Sequence, residues 1–121
     1  MIKPSAAAAA LLVFCGAGAS GVAQAQDPAT YTYATYFYCD VTQQDRADEI
    51  VGQLDKPAFD AVVTGGSVSN WGWLKHHTGG KWRRVQFYSA SSIDALLAAQ
   101  KTVTDQTEAT AKGKALGKEF G

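Results

Sequence analysis

A group of side chains in residues 67–90 has the types and the spacing of a binding surface, with aromatic rings that stack and cations that attract an anion. Two alternating runs, VSNWGWLKHH and KWRRVQFYSA, flank Gly79 and Gly80. A Gly-Gly pair suits a hairpin turn that needs positive φ, and partners across a hairpin share one face. We call this face the tryptophan face; its predicted pairs are Trp71 with Tyr88, Trp73 with Gln86, Lys75 with Arg84 and His77 with Trp82.

The chemistry that the tryptophan face predicts is the binding of a small anionic or aromatic molecule. Lys75 and Arg84 lie opposite each other, where like charges repel unless an anion or a carboxylate lies between them. Indole rings beside them would stack on a flat apolar group. Two alternatives remain: the rings form a dimer interface, or the cations extend to solvent at the sheet rim. The predicted ligand-binding residues are Trp71, Trp73, Lys75, Trp82, Arg84 and Tyr88.

His77 is the catalytic candidate, because an imidazole titrates near physiological pH and this one is predicted beside Trp82. The alternative is a solvated histidine near a turn. His76 and His77 point to opposite faces of a strand, so they cannot both bind one ion. The spacing of Cys39 and the histidines matches no zinc motif. We therefore predict no metal site and no cofactor, and the residues do not decide whether the protein is an enzyme.

The elements that position these residues begin with a strand at residues 31–41, which are β-branched and aromatic and contain no Gly or Pro. Both sides of this strand are apolar or aromatic, which favours a central position in the sheet.

Residues 42–63 show apolar residues at helical spacing, with Thr42 and Asp45 placed as a capping box. Pro57 predicts a break just before it, and the glycines at residues 65–66 predict the end of the second piece. Charged residues are predicted to lie on the outer side of this helix; they are Arg46, Asp48, Glu49 and Asp55.

A further helix is predicted after the hairpin, because residues 91–94 (SSID) resemble a helix cap. Its predicted apolar stripe is Ile93, Leu96, Leu97, Gln100 and Val103. Residues 104–121 are small and polar with several glycines, which predicts a polar tail that is weakly ordered or a frayed helix.

The N-terminus has the layout of a secretory signal peptide. Lys3 precedes an apolar run, and Ala23-Gln24-Ala25 forms an A-x-A cleavage site, so we predict a signal peptide at residues 1–25 and a cut before Gln26. A polar lead follows at residues 26–30. The run is shorter than the roughly 20 apolar residues that span a bilayer, so we predict a periplasmic or secreted protein without a stable membrane anchor.

The charge and cysteine content of the chain limit the kinds of partner that it can bind. Lys and Arg total 11, as do Asp and Glu, so the formal net charge is zero. This balance argues against nucleic acid as a partner, since proteins that bind it usually carry a basic excess. Cys39 would be the one cysteine left after cleavage, which rules out an intramolecular disulfide in the mature chain. Its stability must then come from the core, and a second copy would help.

The order strand, helix, strand, strand, helix predicts one α+β domain at residues 31–103 with a ferredoxin-like β-α-β-β-α fold. Right-handed crossovers place both helices on one face of the antiparallel sheet. We expect the more apolar hairpin face, with Leu74, Val85 and Phe87, beneath these helices. The tryptophan face would then be free of helices. A fourth strand is absent or weak, since no alternating run follows the second helix.

This order and the hairpin pattern resemble the dimeric α+β barrel superfamily, which includes small monooxygenases of antibiotic biosynthesis and haem-dependent chlorite dismutase-type enzymes. The segments ADEIV (residues 47–51) and WGWLKHHTGGKWRR (residues 71–84) are similar to small secreted bacterial proteins. The resemblance implies a homodimer with a small-molecule ligand between two sheets, and it brings no catalytic motif. The alternatives are a cofactor-free monooxygenase-like enzyme with His77 as base, or a non-catalytic dimerisation or interaction module.

Overall fold

The structure is a computed structural model that describes residues 30–121, and these residues form an α+β unit. Its strands are β1 (Tyr31–Phe37), β2 (Asn70–Lys75) and β3 (Arg84–Ala90). Its α-helices are α1 (Gln44–Gln53), α2 (Asp55–Thr64), α3 (Ile93–Thr107) and α4 (Ala111–Phe120), and a 3₁₀ turn, Val41–Gln43, precedes α1. The predicted α+β class is confirmed, and the arrangement is compatible with a ferredoxin-like fold. The predicted signal peptide and residues 26–29 of the polar lead lie outside the described residues.

The strands form one antiparallel sheet in the order β1-β3-β2. The predicted pairs of Trp71 with Tyr88, Trp73 with Gln86 and Lys75 with Arg84 are confirmed. The prediction of a central β1 is wrong, because β3 occupies the centre and β1 lies at an edge. The aromatic residues on both sides of β1 misled that prediction, since several of them are exposed; they include Tyr31, Tyr33 and Tyr36.

The connection between β2 and β3 is longer than a two-residue turn and spans residues 76–83. Gly79 and Gly80 adopt φ of 68° and 74°, so the predicted positive φ is confirmed. The predicted pairing of His77 with Trp82 is wrong. The last backbone contact of the hairpin is His76 N donating to Arg83 O at 3.0 Å, and beyond it the chain leaves the ladder.

The first helical region is divided at Leu54, three residues before Pro57. Pro57 lies in the first turn of α2, where its missing N–H costs least. The predicted capping box at Thr42 is wrong. The Asp40 side chain instead accepts from Thr42 N at 2.8 Å and caps the 3₁₀ turn.

The C-terminal helices are both capped by hydroxyl side chains. Ser92 Oγ accepts from Ala95 N at 3.1 Å at the start of α3, and Thr110 Oγ1 accepts from Gly113 N at 2.9 Å at the start of α4. Residues 104–121, for which we predict a weakly ordered tail or a frayed helix, contain the end of α3 and the whole of α4. Caps of this kind stabilise a helix by about 1 kcal/mol.

The core lies between the sheet and the helices and is built from α2, β3 and α3. Of the predicted α3 stripe, Leu96 and Val103 are buried, whereas Ile93 and Leu97 are more than half exposed. The buried cluster consists of Ala58, Phe59, Val62, Val68, Tyr88, Ala90, Leu96, Ala99 and Val103. None of the helices in residues 30–121 is long and apolar enough to cross a membrane.

Candidate functional site

The tryptophan face lies beneath the helices, so the prediction that it is free of helices is wrong. The Trp71 ring stacks on Phe59 of α2, with centroids 5.1 Å apart and an interplanar angle of 16°. Its Nε1 donates to Asp60 at 2.8 Å. Trp73 Nε1 donates to Asp48 of α1 at 2.7 Å. The rings that we expected to contact a ligand therefore contact helix side chains.

Asp48 also neutralises both cations of this face. Arg84 donates to it from Nε at 2.7 Å and from Nη2 at 3.0 Å, and Lys75 Nζ lies 2.7 Å from Oδ2. The Arg84 side chain is only 5 % exposed. The like charges that suggested an anionic ligand are thus balanced by a carboxylate of the protein itself.

Asp48 is held in its ionised form. Partial burial raises its pKa, but hydrogen bonds from Arg84, Lys75 and Trp73 together outweigh burial and lower the pKa far below its ordinary value. An ionised carboxylate only accepts hydrogen bonds, and the oxygens of Asp48 are already used by these three partners. Its role is to join α1 to β2 and β3.

Trp82 lies on the opposite side of the sheet, which we call the open face. There it stacks on His76, with centroids 4.0 Å apart, and His76 Nδ1 lies 2.8 Å from Trp82 O. Its edge meets Tyr36 at 5.5 Å between centroids. Trp82 lies on the other face than predicted because it belongs to the connection between β2 and β3. Outside a strand, side chains need not alternate between the two faces. The predicted face of Trp82 is therefore wrong, and its ligand-binding role stays a prediction.

His77 is exposed in the connection between β2 and β3. Its role as a base stays a prediction. Within residues 30–121, no group of three or more His, Cys, Asp or Glu side chains is placed to hold a metal ion.

A small cavity lies between the sheet and the helices, and we call it the inter-layer cavity. Its volume is about 190 Å³. β1 and β3 form its floor, the start of α2 forms one wall and the second half of α3 forms the other. Its lining residues are Tyr33, Thr35, Asp55, Phe59, Gln86, Tyr88, Gln100, Val103, Thr104 and Thr107. Most of them carry a polar group, which is unusual next to a core.

Asp55 is the carboxylate of the inter-layer cavity. It opens α2 and is half-buried, and its Oδ2 accepts from Gln86 Nε2 at 2.9 Å. No Lys or Arg of the described residues forms an ion pair with it. Burial raises the pKa of Asp55, and the hydrogen bond from Gln86 opposes only part of that effect. An uncompensated carboxylate in such a place is typical of functional sites.

Tyr88, which also lines this cavity, carries an unsatisfied hydroxyl. The residue is 3 % exposed, and its Oη has no hydrogen-bond partner among residues 30–121. A buried polar group without a partner costs about 1–3 kcal/mol, so such groups are rare and need an explanation. The ring is held by Tyr33 and Phe59, with centroids 5.4 and 5.2 Å away.

A larger groove of about 350 Å³ lies between the end of β1, α1 and α4. Cys39 lines it, together with a paired charge: Arg46 donates to Glu119 from Nε at 2.7 Å and from Nη2 at 2.9 Å. Because these charges satisfy each other, the groove is a weaker candidate than the inter-layer cavity despite its size.

Asp55 and Gln86 are not among the predicted site residues, and the prediction that Asp48 and Asp55 lie on an outer, solvent-facing side is wrong. The signal that could have found them is their spacing. Asp48 and Asp55 are seven residues apart, a spacing that in a continuous helix places both on one face with Val51, which is buried at 3 % exposure. A carboxylate within a buried stripe predicts a partner or a ligand.

Comparison with protein-family models, curated proteins and solved structures gives no match for this chain. Its function is therefore inferred from its own residues.

Proposed function

We propose that the protein is a small-molecule-binding domain that holds a small primary ammonium ion in the inter-layer cavity. The observation that carries the proposal is that one cavity is lined by Asp55, a half-buried carboxylate, and by Tyr88, whose hydroxyl is buried, and that within the described part of the chain the carboxylate has no counter-ion and the hydroxyl has no partner. One ammonium group has three donors, enough for both the Asp55 carboxylate and Tyr88 Oη.

Charge favours a cation over the anion that the sequence suggested. The positive groups Lys75 and Arg84 already have Asp48 as partner. Asp60, on the same helix as Asp55, has Lys56 at 2.6 Å. Asp55 is left to be neutralised either by a proton or by a bound cation, because burial disfavours its ionised form. A cationic ligand would lower its pKa on binding.

The walls and the size of the cavity agree with such a ligand. Tyr33, Phe59 and Tyr88 line it, and aromatic rings attract cations over their faces. A volume of about 190 Å³ is below the roughly 300–1,000 Å³ of pockets that hold drug-sized ligands. The ligand is therefore a small amine instead of a polycyclic substrate, and this size argues against the monooxygenase-like alternative.

The proposal extends to the fold and the location of the protein. We assign the β1-β3-β2 order to a ferredoxin-like sheet without its fourth strand, supported by the β-α-β-β-α succession in residues 31–107. We also propose an exported protein, supported by the signal-peptide layout of residues 1–25.

Titration calorimetry with ethanolamine as probe tests the binding proposal, with tetramethylammonium and acetate as comparison ions. The ceiling of about 1.5 kcal/mol per heavy atom allows a probe of this size a Kd of about 40 μM at best. We expect Asp55→Asn and Tyr88→Phe each to weaken ethanolamine binding at least about tenfold, since hydrogen bonds to charged groups contribute about 1.5–3 kcal/mol. Acetate should not bind.

Asp60→Asn is the matched control, because it removes a carboxylate from the same helix but outside the cavity lining. It should leave ethanolamine affinity unchanged. Equal affinity in wild type and Asp55→Asn would overturn the proposal, as would the absence of ethanolamine binding up to 50 mM. Tighter binding of tetramethylammonium than of ethanolamine would show that hydrogen bonding to Tyr88 plays no part.

A further inference from the structure

The outer edge of β1 is a surface that the proposed function does not use. β1 pairs with β3 on one side, and within residues 30–121 no strand pairs with its other side. Tyr31, Tyr33 and Tyr36 are 42 %, 42 % and 57 % exposed. The edge of a sheet presents a row of backbone N–H and C=O groups that can bind another strand.

This edge lacks the features by which proteins usually block strand addition. The sequence of β1, YTYATYF, contains no charged residue, no Pro and no Gly. The opposite edge of the sheet differs, since β2 contains Gly72 and the Lys75 side chain, which is 64 % exposed. Of the two sheet edges in the described residues, the β1 edge is therefore the better suited to bind a strand.

We propose that the occupant is a second copy of the chain, whose β1 pairs antiparallel with this β1 about a two-fold axis at Ala34. The two sheets would join into one continuous six-stranded sheet. In this register Ala34 lies opposite the partner's Ala34, and Tyr31 lies opposite the partner's Phe37. Because β1 is uncharged, the two-fold axis brings no like charges together.

The register is complementary on both faces of the joined sheet. Beneath the helices, an aromatic pair forms between Tyr31 and the partner's Phe37, and such cross-strand pairs stabilise sheets. On the open face, Thr32 meets the partner's Tyr36. A single pair of strands makes a small interface, so we expect a micromolar Kd, on the order of 1–100 μM, at the weak end of the range for protein interfaces.

Sedimentation velocity from about 1 to 200 μM tests the proposal. Ala34→Lys places two lysines opposite each other at the axis, and we expect it to raise the dimer Kd at least about a hundredfold. Asn70→Lys is the matched control, because it adds the same charge to an exposed position on the other edge strand. It should leave the Kd within about twofold.

Leu74→Lys separates edge pairing from packing between two open faces, because Leu74 is on the open face and is 51 % exposed. It should leave the dimer intact. Loss of the dimer in Leu74→Lys would overturn the proposal in favour of face-to-face packing. A wild-type protein that is monomeric at 200 μM would overturn it as well.

Cross-linking gives a second readout that does not depend on tolerance of a lysine. Residues directly opposite in an antiparallel pair have Cα atoms about 4.5–5.5 Å apart, which suits a disulfide. In a Cys39→Ser background, Ala34→Cys should form a disulfide-linked dimer on oxidation, and Asn70→Cys should not. Equal cross-linking at both positions would contradict the proposed axis.

Discussion

Asp48 accepts hydrogen bonds from Arg84 through both carboxylate oxygens, at 2.7 and 3.0 Å. The pair joins α1 to β3, the central strand, and the Arg84 side chain is almost fully enclosed. A two-bond contact of this kind fixes orientation as well as distance. It therefore helps to decide which face of the sheet the helices cover.

We expect Asp48→Asn to destabilise the fold by about 3–5 kcal/mol. Asparagine preserves the volume but leaves Arg84 buried without a neutralising charge, and breaking one partner of a buried ion pair has a cost of that size. The loss is a large part of the 5–15 kcal/mol typical of a domain. Urea unfolding followed by tryptophan fluorescence measures it.

The control for this variant is Asp105→Asn, which breaks an exposed ion pair. Lys101 Nζ lies 2.6 Å from Asp105 Oδ2, and the two side chains are 76 % and 62 % exposed. Pairs of this kind contribute about 0.3–0.5 kcal/mol, so stability should hardly change. Similar losses in the two variants would contradict a special role for the buried pair.

The hairpin register could be predicted from the sequence, whereas the covered face could not. Alternation fixes which residues lie opposite each other, and three predicted pairs of β2 and β3 are confirmed. Both faces carry large apolar groups, so hydrophobicity alone favoured Leu74 and Val85 as the covered set. The covered face is instead the one on which Asp48 of α1 pairs with Arg84. Burial of Arg84 requires a neutralising partner, and that partner is distant in the sequence.

The order of the C-terminal helix α4 could not be predicted from the sequence for a related reason. Residues 111–120 contain few large apolar groups, but those few meet partners distant in the sequence. Phe120 contacts Phe37 at 5.3 Å and Trp73 at 6.1 Å between centroids. The composition of a helix indicates how much apolar surface it can bury. It does not indicate whether the rest of the fold offers a complementary surface.

Asp55→Asn should alter the pH dependence of stability in the ligand-free protein. Burial raises the pKa of Asp55 in the folded state. The contribution of Asp55 to the stability of the wild type is therefore fully present below its unfolded-state pKa of about 3.9, and it is lost as pH rises through the folded-state pKa. Asparagine cannot ionise. The free energy of unfolding, variant minus wild type, should therefore be more positive at about pH 7 than at about pH 3, by about 1.4 kcal/mol for each unit of pKa shift.

Asp60→Asn gives the opposite sign. Hydrogen bonds from Lys56 and then Trp71 lower the pKa of Asp60, so its contribution is present above the unfolded-state pKa and is lost as pH falls through the folded-state pKa. The difference from wild type should be more negative at about pH 7 than at about pH 3. Urea titrations at a series of pH values measure both, and parallel curves for the two variants would refute the assigned directions.

Glycine substitutions in α4 test whether this helix docks closely on α3. A Cβ at Gly113 would overlap the Thr107 carbonyl oxygen, whereas a Cβ at Gly117 would meet no atom within 4 Å. We expect Gly113→Ala to destabilise by about 1–3 kcal/mol, as overpacking does, even though alanine favours helix. Gly117→Ala should stabilise by about 0.5–1 kcal/mol through helix propensity alone. Urea unfolding distinguishes the two, and a gain of stability in both variants would mean that α4 does not hold its position against Thr107.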